Sequence, residues 1–156
     1  MSPPTKSIAG IAIVLLIGIG IWFYLSSAGI VTSGVRESKN VDLAVGQRIY
    51  ARECASCHGA KLEGQPNWQS RLPNGRLPAP PHDASGHTWH HSDQQLFEIT
   101  KYGVEKFAGP GYVTDMPKFE GKLSDDEIWS VLGYVKSTWP DRERAAQARM
   151  SAQPVQ

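Results

Sequence analysis

A cysteine–histidine motif is the feature of this 156-residue chain that most limits its fold. Residues 54–58 read CASCH, so Cys54, Cys57 and His58 have the C-x-x-C-H spacing. At this spacing two thiols can add to the two vinyl groups of one haem, and the histidine that follows is placed to bind the iron. The chain has two cysteines in all, and both lie in the motif. We therefore predict one covalently bound haem c, around which the domain must fold.

Two other kinds of site use closely spaced cysteines. A C-x-x-C pair also occurs in thioredoxin-type redox sites and as half of a zinc site. A redox pair would need a strand leading into it, whereas the residues before Cys54 have a helical pattern. A structural zinc site needs further ligands at finger-like spacing. The remaining histidines lie well downstream and do not match such a spacing: His82, His87, His90 and His91. The haem interpretation is therefore favoured.

The start of the chain contains an apolar run long enough to cross a membrane. Residues 8–25 read IAGIAIVLLIGIGIWFYL, and about 20 helical residues span a hydrocarbon core of roughly 30 Å. The run exceeds the roughly 7–15 apolar residues of a signal-peptide core. Aromatic residues 22–24 also lie near one end, as in an interfacial belt. We predict an uncleaved transmembrane signal anchor over residues 1–28. Cleavage of a signal peptide at the small residues 26–28 is the alternative.

The rest of the chain divides into a linker, a domain and a tail. Residues 29–40 are polar and mixed, which is typical of a linker, and they reach about 40 Å when fully extended. Residues 41–139 contain the sustained helical patterns, and we assign them to the haem domain. Residues 140–156 are predicted to be a polar C-terminal tail that contains one short polar helix.

Three helical patterns occur in the predicted domain, and no segment shows a strand pattern. The first runs over residues 40–53 directly into the cysteine motif, the second over residues 92–103, and the third over residues 124–139. The second and third open with capping-box sequences, S-D-Q-Q and S-D-D-E. Residues 59–91 are rich in proline and glycine and are predicted to be loops. Such a long loop is unusual in a compact domain, and packing against a porphyrin explains it.

Met116 is the candidate for the second axial ligand of the iron. The chain has three methionines, of which Met1 is the initiator and Met150 lies in the polar tail. Met116 lies in a Gly- and Pro-rich loop just before the third helix, where a thioether can be held in place. A methionine more often fills an apolar gap, but with His58 already placed we predict that Met116 binds the iron. A bis-histidine iron, with His82 as the sixth ligand, is the alternative.

Together these residues resemble the class I cytochromes c, over residues 40–139. The resemblance implies that Cys54 and Cys57 form the thioether links, that His58 is the proximal ligand and that Met116 is the distal ligand. It implies an all-α fold with three main helices around one covalent haem, after one N-terminal transmembrane helix. Haem attachment in such families is a periplasmic process. We therefore expect a single-pass protein of the cell membrane with its haem domain on the periplasmic side.

The resemblance also implies how two parts of the domain pack. In that family a glycine and an aromatic residue one turn apart on the first helix meet the last helix. Gly46 and Tyr50 match this spacing, and Val131 and Tyr134 resemble their partners. A glycine allows two helix backbones to approach closely because it has no Cβ. A proline-rich loop, here residues 77–81, is expected to supply the carbonyl that accepts the Nδ1–H of the proximal histidine.

The predicted ligand set favours electron transfer over catalysis, because an iron with both axial positions filled has no open site for a substrate. We expect a membrane-tethered mono-haem carrier, not an enzyme, that passes single electrons between respiratory or photosynthetic complexes. Its expected partners are these membrane redox complexes, as donor and acceptor, and the lipid bilayer through the N-terminal helix. The alternatives are a fixed cytochrome c subunit of a larger membrane oxidoreductase and a haem-based sensor from which Met116 dissociates easily.

The charge composition argues against a nucleic-acid partner. The formal net charge is +1, and lysines and arginines are spread along the chain without a basic stripe. Residues 40–139 contain 10 Lys and Arg against 12 Asp and Glu. Four lysines flank the Met116 loop, where a local basic patch is one expectation: Lys101, Lys106, Lys118 and Lys122.

Overall fold

The computed structural model of this protein describes residues 40–152, and all regular structure in this range is helical. The all-α prediction is therefore confirmed for the part of the chain that carries the domain. The predicted membrane span and most of the linker lie outside the described residues. Within residues 40–152, no helix has both the length and the apolar character needed to cross a bilayer.

The first helical segment consists of three consecutive pieces. Helix α1 (Leu43–Ile49) passes into a π-helical turn (Tyr50–Cys54), and helix α2 (Ala55–His58) follows directly. Asp42 caps α1, because its Oδ1 accepts hydrogen bonds from two backbone amides of the first turn at 2.9 and 3.0 Å. The sequence predicted a single helix here. The π turn widens the helix where it reaches the cysteine motif, because its hydrogen bonds span five residues instead of four and Cys54 is its last residue.

The remaining helices of the predicted domain follow the long loop region. A 3₁₀ turn (Thr88–His90) precedes helix α3 (Asp93–Tyr102), and a short helix α4 (Glu105–Ala108) comes next. Helix α5 (Asp125–Ser137) is the longest. Its N-terminus has the predicted capping box, in which the side chains and backbone amides of Ser124 and Glu127 bond reciprocally. Short helix α4 was not predicted, since four residues are too few to show a helical period.

Helices α1 and α5 cross at Gly46. A Cβ built on Gly46 would lie 2.0 Å from the carbonyl oxygen of Ser130 and 3.0 Å from the Cβ of Tyr134. The backbones can therefore approach this closely only because Gly46 has no side chain. One turn along α1, the Tyr50 and Tyr134 rings lie 5.6 Å apart. The predicted Gly46–Tyr50 crossing is present. The backbone that faces Gly46 is that of Ser130, one residue before the expected partner Val131, which lies in the core instead.

The hydrophobic core lies between these crossed helices and the loops that surround them. The predicted apolar stripe of α5 supplies Ile128, Val131 and Val135, which are all buried, and Leu132 packs partly buried against them. Trp139 follows α5 and is only 1% exposed. The other buried apolar side chains come from the first helical segment, α3 and the loops: Ile49, Tyr50, Leu62, Leu96, Phe97, Phe119 and Leu123.

Helix α6 (Asp141–Ser151) packs onto the domain, although its sequence predicted only a polar tail with a short helix. Gln147 is 1% exposed, and its Nε2 donates to the His91 carbonyl at 3.3 Å and to Asp93 Oδ1 at 2.7 Å. The hydroxyl of Ser151 accepts from the Asp93 amide at 2.9 Å. The contact is polar, which explains why the hydrophobic pattern of this segment did not indicate it.

The Gly46→Ala substitution tests the helix crossing, because the crossing decides whether the substitution raises or lowers the free energy of unfolding. Helix propensity alone predicts that alanine stabilises an interior helical position by about 1 kcal/mol. We expect the opposite, a loss of about 1–3 kcal/mol, because the added Cβ overpacks the contact with Ser130. Denaturant unfolding followed by circular dichroism measures the change. Exposed Gln47 in the same helix provides the control, and Gln47→Ala should change stability little. A stabilised Gly46→Ala variant would contradict the close crossing.

Candidate functional site

The cysteine motif forms the end of the first helical segment. Cys54 is the last residue of the π turn and is partly buried against the core, whereas Cys57 on α2 is exposed. His58, the last residue of α2, is buried, with 7% of its surface exposed. One turn of chain thus presents two thiols and one imidazole. The structure brings together three of the four residues predicted for the site.

The imidazole of His58 is fixed by a backbone carbonyl. Its Nδ1 lies 2.8 Å from the carbonyl oxygen of Pro80. Because a carbonyl only accepts, Nδ1 carries the hydrogen, and the lone pair of Nε2 is left available for a metal. Burial lowers the pKa of His58, and the bond to Pro80 opposes this in part. The ring is therefore neutral near pH 7, as a ligand must be. The carbonyl expected from residues 77–81 is that of Pro80.

Backbone hydrogen bonds hold the residues around His58. The carbonyl of His58 accepts from the Gly64 amide at 2.8 Å and from the Tyr50 hydroxyl at 3.3 Å. The single hydrogen of this hydroxyl is shared with the carbonyl of Gly59, which is the nearer acceptor at 2.9 Å. Gly59 ends α2 with a φ of +82°, a left-handed conformation that glycine adopts without strain. The aromatic residue predicted to meet the last helix thus also supports the end of the cysteine motif.

A second pair of segments positions Pro80. The Gln65 amide donates to the Ala79 carbonyl at 2.9 Å, and the Ala79 amide donates back to Gln65 Oε1 at 2.9 Å. A Cβ on Gly64 would lie 2.4 Å from the nitrogen of Pro81 and 2.7 Å from the carbonyl carbon of Pro80. The chain after His58 and the proline-rich segment therefore pack backbone to backbone.

His82 lies on the face of the His58 ring. The two ring centroids are 3.9 Å apart, and the ring planes differ by 22°. Two histidines that bind opposite faces of one iron point their nitrogens at it from opposite sides, so their rings cannot stack on each other. This placement argues against the bis-histidine alternative. Burial, followed by the nearby His58 and His87, holds the pKa of His82 well below its ordinary value.

Met116 lies on a separate loop that is fastened on both sides. Before it, Asp115 pairs with Arg76 of the proline-rich region. After it, the buried Phe119 donates its amide to the Thr100 carbonyl of α3 at 3.2 Å. The Met116 amide itself donates to Thr114 Oγ1 at 3.1 Å. Met116 is half-buried. A loop restrained in this way can hold a thioether at a constant position.

The histidines near the 3₁₀ turn form ring contacts. His87 stacks on Trp68 at 5.1 Å, and His90 stacks on Trp89 at 3.7 Å. No group of three or more His, Cys, Asp or Glu side chains between residues 40 and 152 is arranged to hold a metal ion. These histidines therefore take part in ring contacts within the region of residues 59–91 that was predicted to form loops.

The lysines near the Met116 loop do not form an unpaired basic patch. Each has a carboxylate partner: Lys101 with Asp125 at 2.6 Å, Lys106 with Glu98 at 2.5 Å, Lys118 with Glu105 at 3.9 Å and Lys122 with Glu53 at 2.6 Å. Hydrogen bonds from Lys122 and Arg52 hold the pKa of Glu53 below its ordinary value. The expectation of a basic patch is thus corrected, because lysine positions in the sequence do not reveal the carboxylates folded against them.

The site has the donor set that a covalently attached haem requires. Two thiols lie on one turn, and a neutral imidazole follows them with its Nε2 lone pair available. A helical domain with these features belongs to the c-type cytochromes. Comparison with known proteins agrees, since the family model described as cytochrome c matches residues 43–139. The chain belongs to the cytochrome c family, as a class I c-type cytochrome, and the cofactor of this family is a covalently bound haem c with its iron.

One curated relative illustrates the similarity. The chain is 34% identical over 68 residues to cytochrome c-555 of Prosthecochloris aestuarii, an alignment that covers 40% of this chain and 69% of the relative. No solved structure gives a significant match.

Gly64→Ala tests the backbone packing that positions the Pro80 carbonyl. We expect it to lower the free energy of unfolding by about 1–3 kcal/mol beyond its control, because the added Cβ overlaps Pro80 and Pro81. Gly75→Ala is the matched control: Gly75 also has a positive φ, +80° against +68°, but no atom lies within 4 Å of its built Cβ. Denaturant unfolding of both variants gives the difference. Equal losses would mean that only backbone strain matters at Gly64.

Proposed function

We propose that this protein is a membrane-tethered, periplasmic mono-haem cytochrome that carries single electrons between respiratory or photosynthetic complexes. Its membership of the cytochrome c family supports electron transfer by a haem protein. When bound, haem c supplies a one-electron iron couple. The residues of this chain attach the cofactor and fix its axial ligands. The membrane tether, the periplasmic location and the redox partners are proposed in addition to this family membership.

The observation that carries the proposal is that hydrogen bonds already hold His58 in the orientation that an iron ligand needs. Its Nδ1–H is committed to Pro80 at 2.8 Å, and its carbonyl is held by Gly64 and Tyr50. A ring restrained in this way cannot easily leave its position. We propose that Cys54 and Cys57 form the thioether links and that His58 is the proximal ligand. Little rearrangement between oxidation states is what a fast electron carrier requires.

Met116 is the proposed distal ligand. Its loop is tied to Arg76 on one side and to α3 on the other. Leu72 and Val113 lie on the two loops joined by the Arg76–Asp115 pair, and both are largely exposed apolar side chains that suit contact with a porphyrin. With His58 and Met116 as ligands, neither axial position remains for a substrate. This ligand set supports electron transfer in preference to catalysis or gas sensing.

The proposed membrane tether rests on residues 1–28 of the sequence. Eighteen consecutive apolar and glycine residues, 8–25, match the thickness of a bilayer. Residues 29–40 would then separate the bilayer from the described domain. The covalent haem supports the proposed periplasmic location, because attachment in such families is a periplasmic process.

A fixed subunit of a larger membrane oxidoreductase is the second candidate. The pairing of the four lysines near the Met116 loop favours it, since a mobile carrier generally uses an unpaired charged patch to steer its encounters. Extraction in a mild detergent separates the two candidates. A stoichiometric partner that co-purifies supports the subunit, and a cytochrome that elutes alone supports the mobile carrier.

Met116→Ala tests the distal ligand. The far-red charge-transfer band between thioether sulfur and ferric iron should be present in the wild type and absent from the variant. The reduction potential should fall, because methionine ligation raises it. The ferrous variant should bind carbon monoxide, and the wild type should not. Met150→Ala is the control, since Met150 lies on α6 and is 38% exposed. Loss of the band in both variants, or in neither, would contradict ligation by Met116 specifically.

Membrane fractionation tests the tether. The full chain should sediment with membranes, resist extraction by high salt and be released by detergent. A version in which a cleavable signal peptide replaces residues 1–39 should appear in the soluble periplasmic fraction with its haem attached. Mass spectrometry of the purified full-length protein should find the intact N-terminal segment. A soluble protein that begins near residue 29 would instead demonstrate signal-peptide cleavage.

A further inference from the structure

His82 occupies a place that the proposed electron-transfer function does not yet use. Its ring stacks on the His58 ring with a centroid separation of 3.9 Å and an angle of 22°. His82 directly follows Pro81 and therefore lies two residues after the carbonyl that fixes His58. One short segment thus supports the same imidazole at two points, at its Nδ1 edge and on its face.

The side chain of His82 is itself held in one orientation. Its Nδ1 lies 2.8 Å from Thr88 Oγ1, and this hydroxyl donates to the Pro81 carbonyl at 3.4 Å. The Pro81 carbonyl only accepts, so a Thr88 hydroxyl that donates to it accepts from His82 Nδ1. Thr88 is buried, with 6% of its surface exposed. This short chain of hydrogen bonds orients the plane of the His82 ring.

The backbone of His82 is held equally firmly. Its amide donates to the Leu62 carbonyl at 2.8 Å, and its carbonyl accepts from Trp139 Nε1 at 2.7 Å. Leu62 is buried and has a φ of +66°, a left-handed conformation that is costly for leucine. The residue in this costly conformation is thus the one whose carbonyl accepts the hydrogen bond from the His82 amide. The backbone amide, the backbone carbonyl and the side chain of His82 are therefore all restrained.

We propose that His82 is a positioning residue that sets the ring plane of the proximal histidine. The bond to Pro80 fixes one atom of the His58 ring but leaves a tilt about that contact. A flat, rigid ring stacked on the face of His58 removes this tilt. The orientation of an axial imidazole relative to the porphyrin nitrogens governs its overlap with the iron d orbitals. The inference rests on the proposed ligation of iron by His58.

The test is the ferric electron paramagnetic resonance spectrum of the complete haem protein, together with its reduction potential. His82→Ala should shift and broaden the largest g value, because the His58 ring gains a range of orientations, and it should also shift the potential. His82→Phe keeps a flat ring at the same place but lacks the bond to Thr88, so its line should be narrower than that of His82→Ala and broader than that of the wild type. A general loss of packing would not be rescued in this way. His90→Ala is the control, since His90 is exposed and stacks on Trp89 instead.

Thr88→Val gives a second, independent measurement, because it keeps His82 and removes only the hydroxyl that orients it. We expect a broadened line like that of His82→Ala, although smaller in extent. This variant and His82→Phe also decide the matter if His82→Ala does not accumulate as a folded protein. Wild-type g values and potential in both His82→Ala and Thr88→Val would overturn the proposal, as would a His82→Phe spectrum as broad as that of His82→Ala.

The measurements distinguish a failure of iron ligation by His58 from a failure of the positioning role of His82. If the wild-type ferric spectrum lacks the signature of histidine ligation, the role of His58 is wrong, and the role of His82 falls with it. If the wild type shows histidine ligation and the variants of His82 and Thr88 do not alter it, only the positioning role is overturned.

Discussion

The hydrogen bond between His58 Nδ1 and the Pro80 carbonyl joins two segments that are 22 residues apart in the chain. For the bond to form, the chain must turn sharply after α2 and return beside itself. Gly59 and Gly64 permit the turn with positive φ angles, and Gly64 also allows the backbones to touch. The amides and carbonyls of the two segments then pair with each other. The long proline-rich loop is thus ordered around one imidazole.

Several elements could be predicted from the sequence because their causes are local. The capping box at Ser124, the apolar stripe of α5 and the end of α3 at Gly103 all follow from residues within a few positions of each other. The Gly46 crossing was also predicted, but only through a family resemblance. Its facing residue was misplaced by one position, since helix rotation depends on how whole side chains interlock.

Other features depend on residues far apart in the chain, which no local pattern reports. The π turn that ends at Cys54 changes the helix phase without changing the apolar pattern. The stacking of His82 on His58 results from the fold of the proline-rich loop, and the sequence offered His82 only as an alternative iron ligand. The polar docking of α6 through Gln147 was missed because sequence patterns detect buried apolar surface and not buried amides.

The paired lysines have a consequence for the proposed transfer of electrons to membrane partners. The carboxylates that pair with these four lysines offset their charge near the Met116 loop, and salt screens the interactions of exposed charges further. A freely diffusing carrier would lose association rate in this way. A domain tethered to the same bilayer as its partner instead meets it at an effective concentration set by the linker length, on the order of millimolar for a short flexible linker. Under the proposed arrangement, confinement to a surface takes the place of electrostatic attraction.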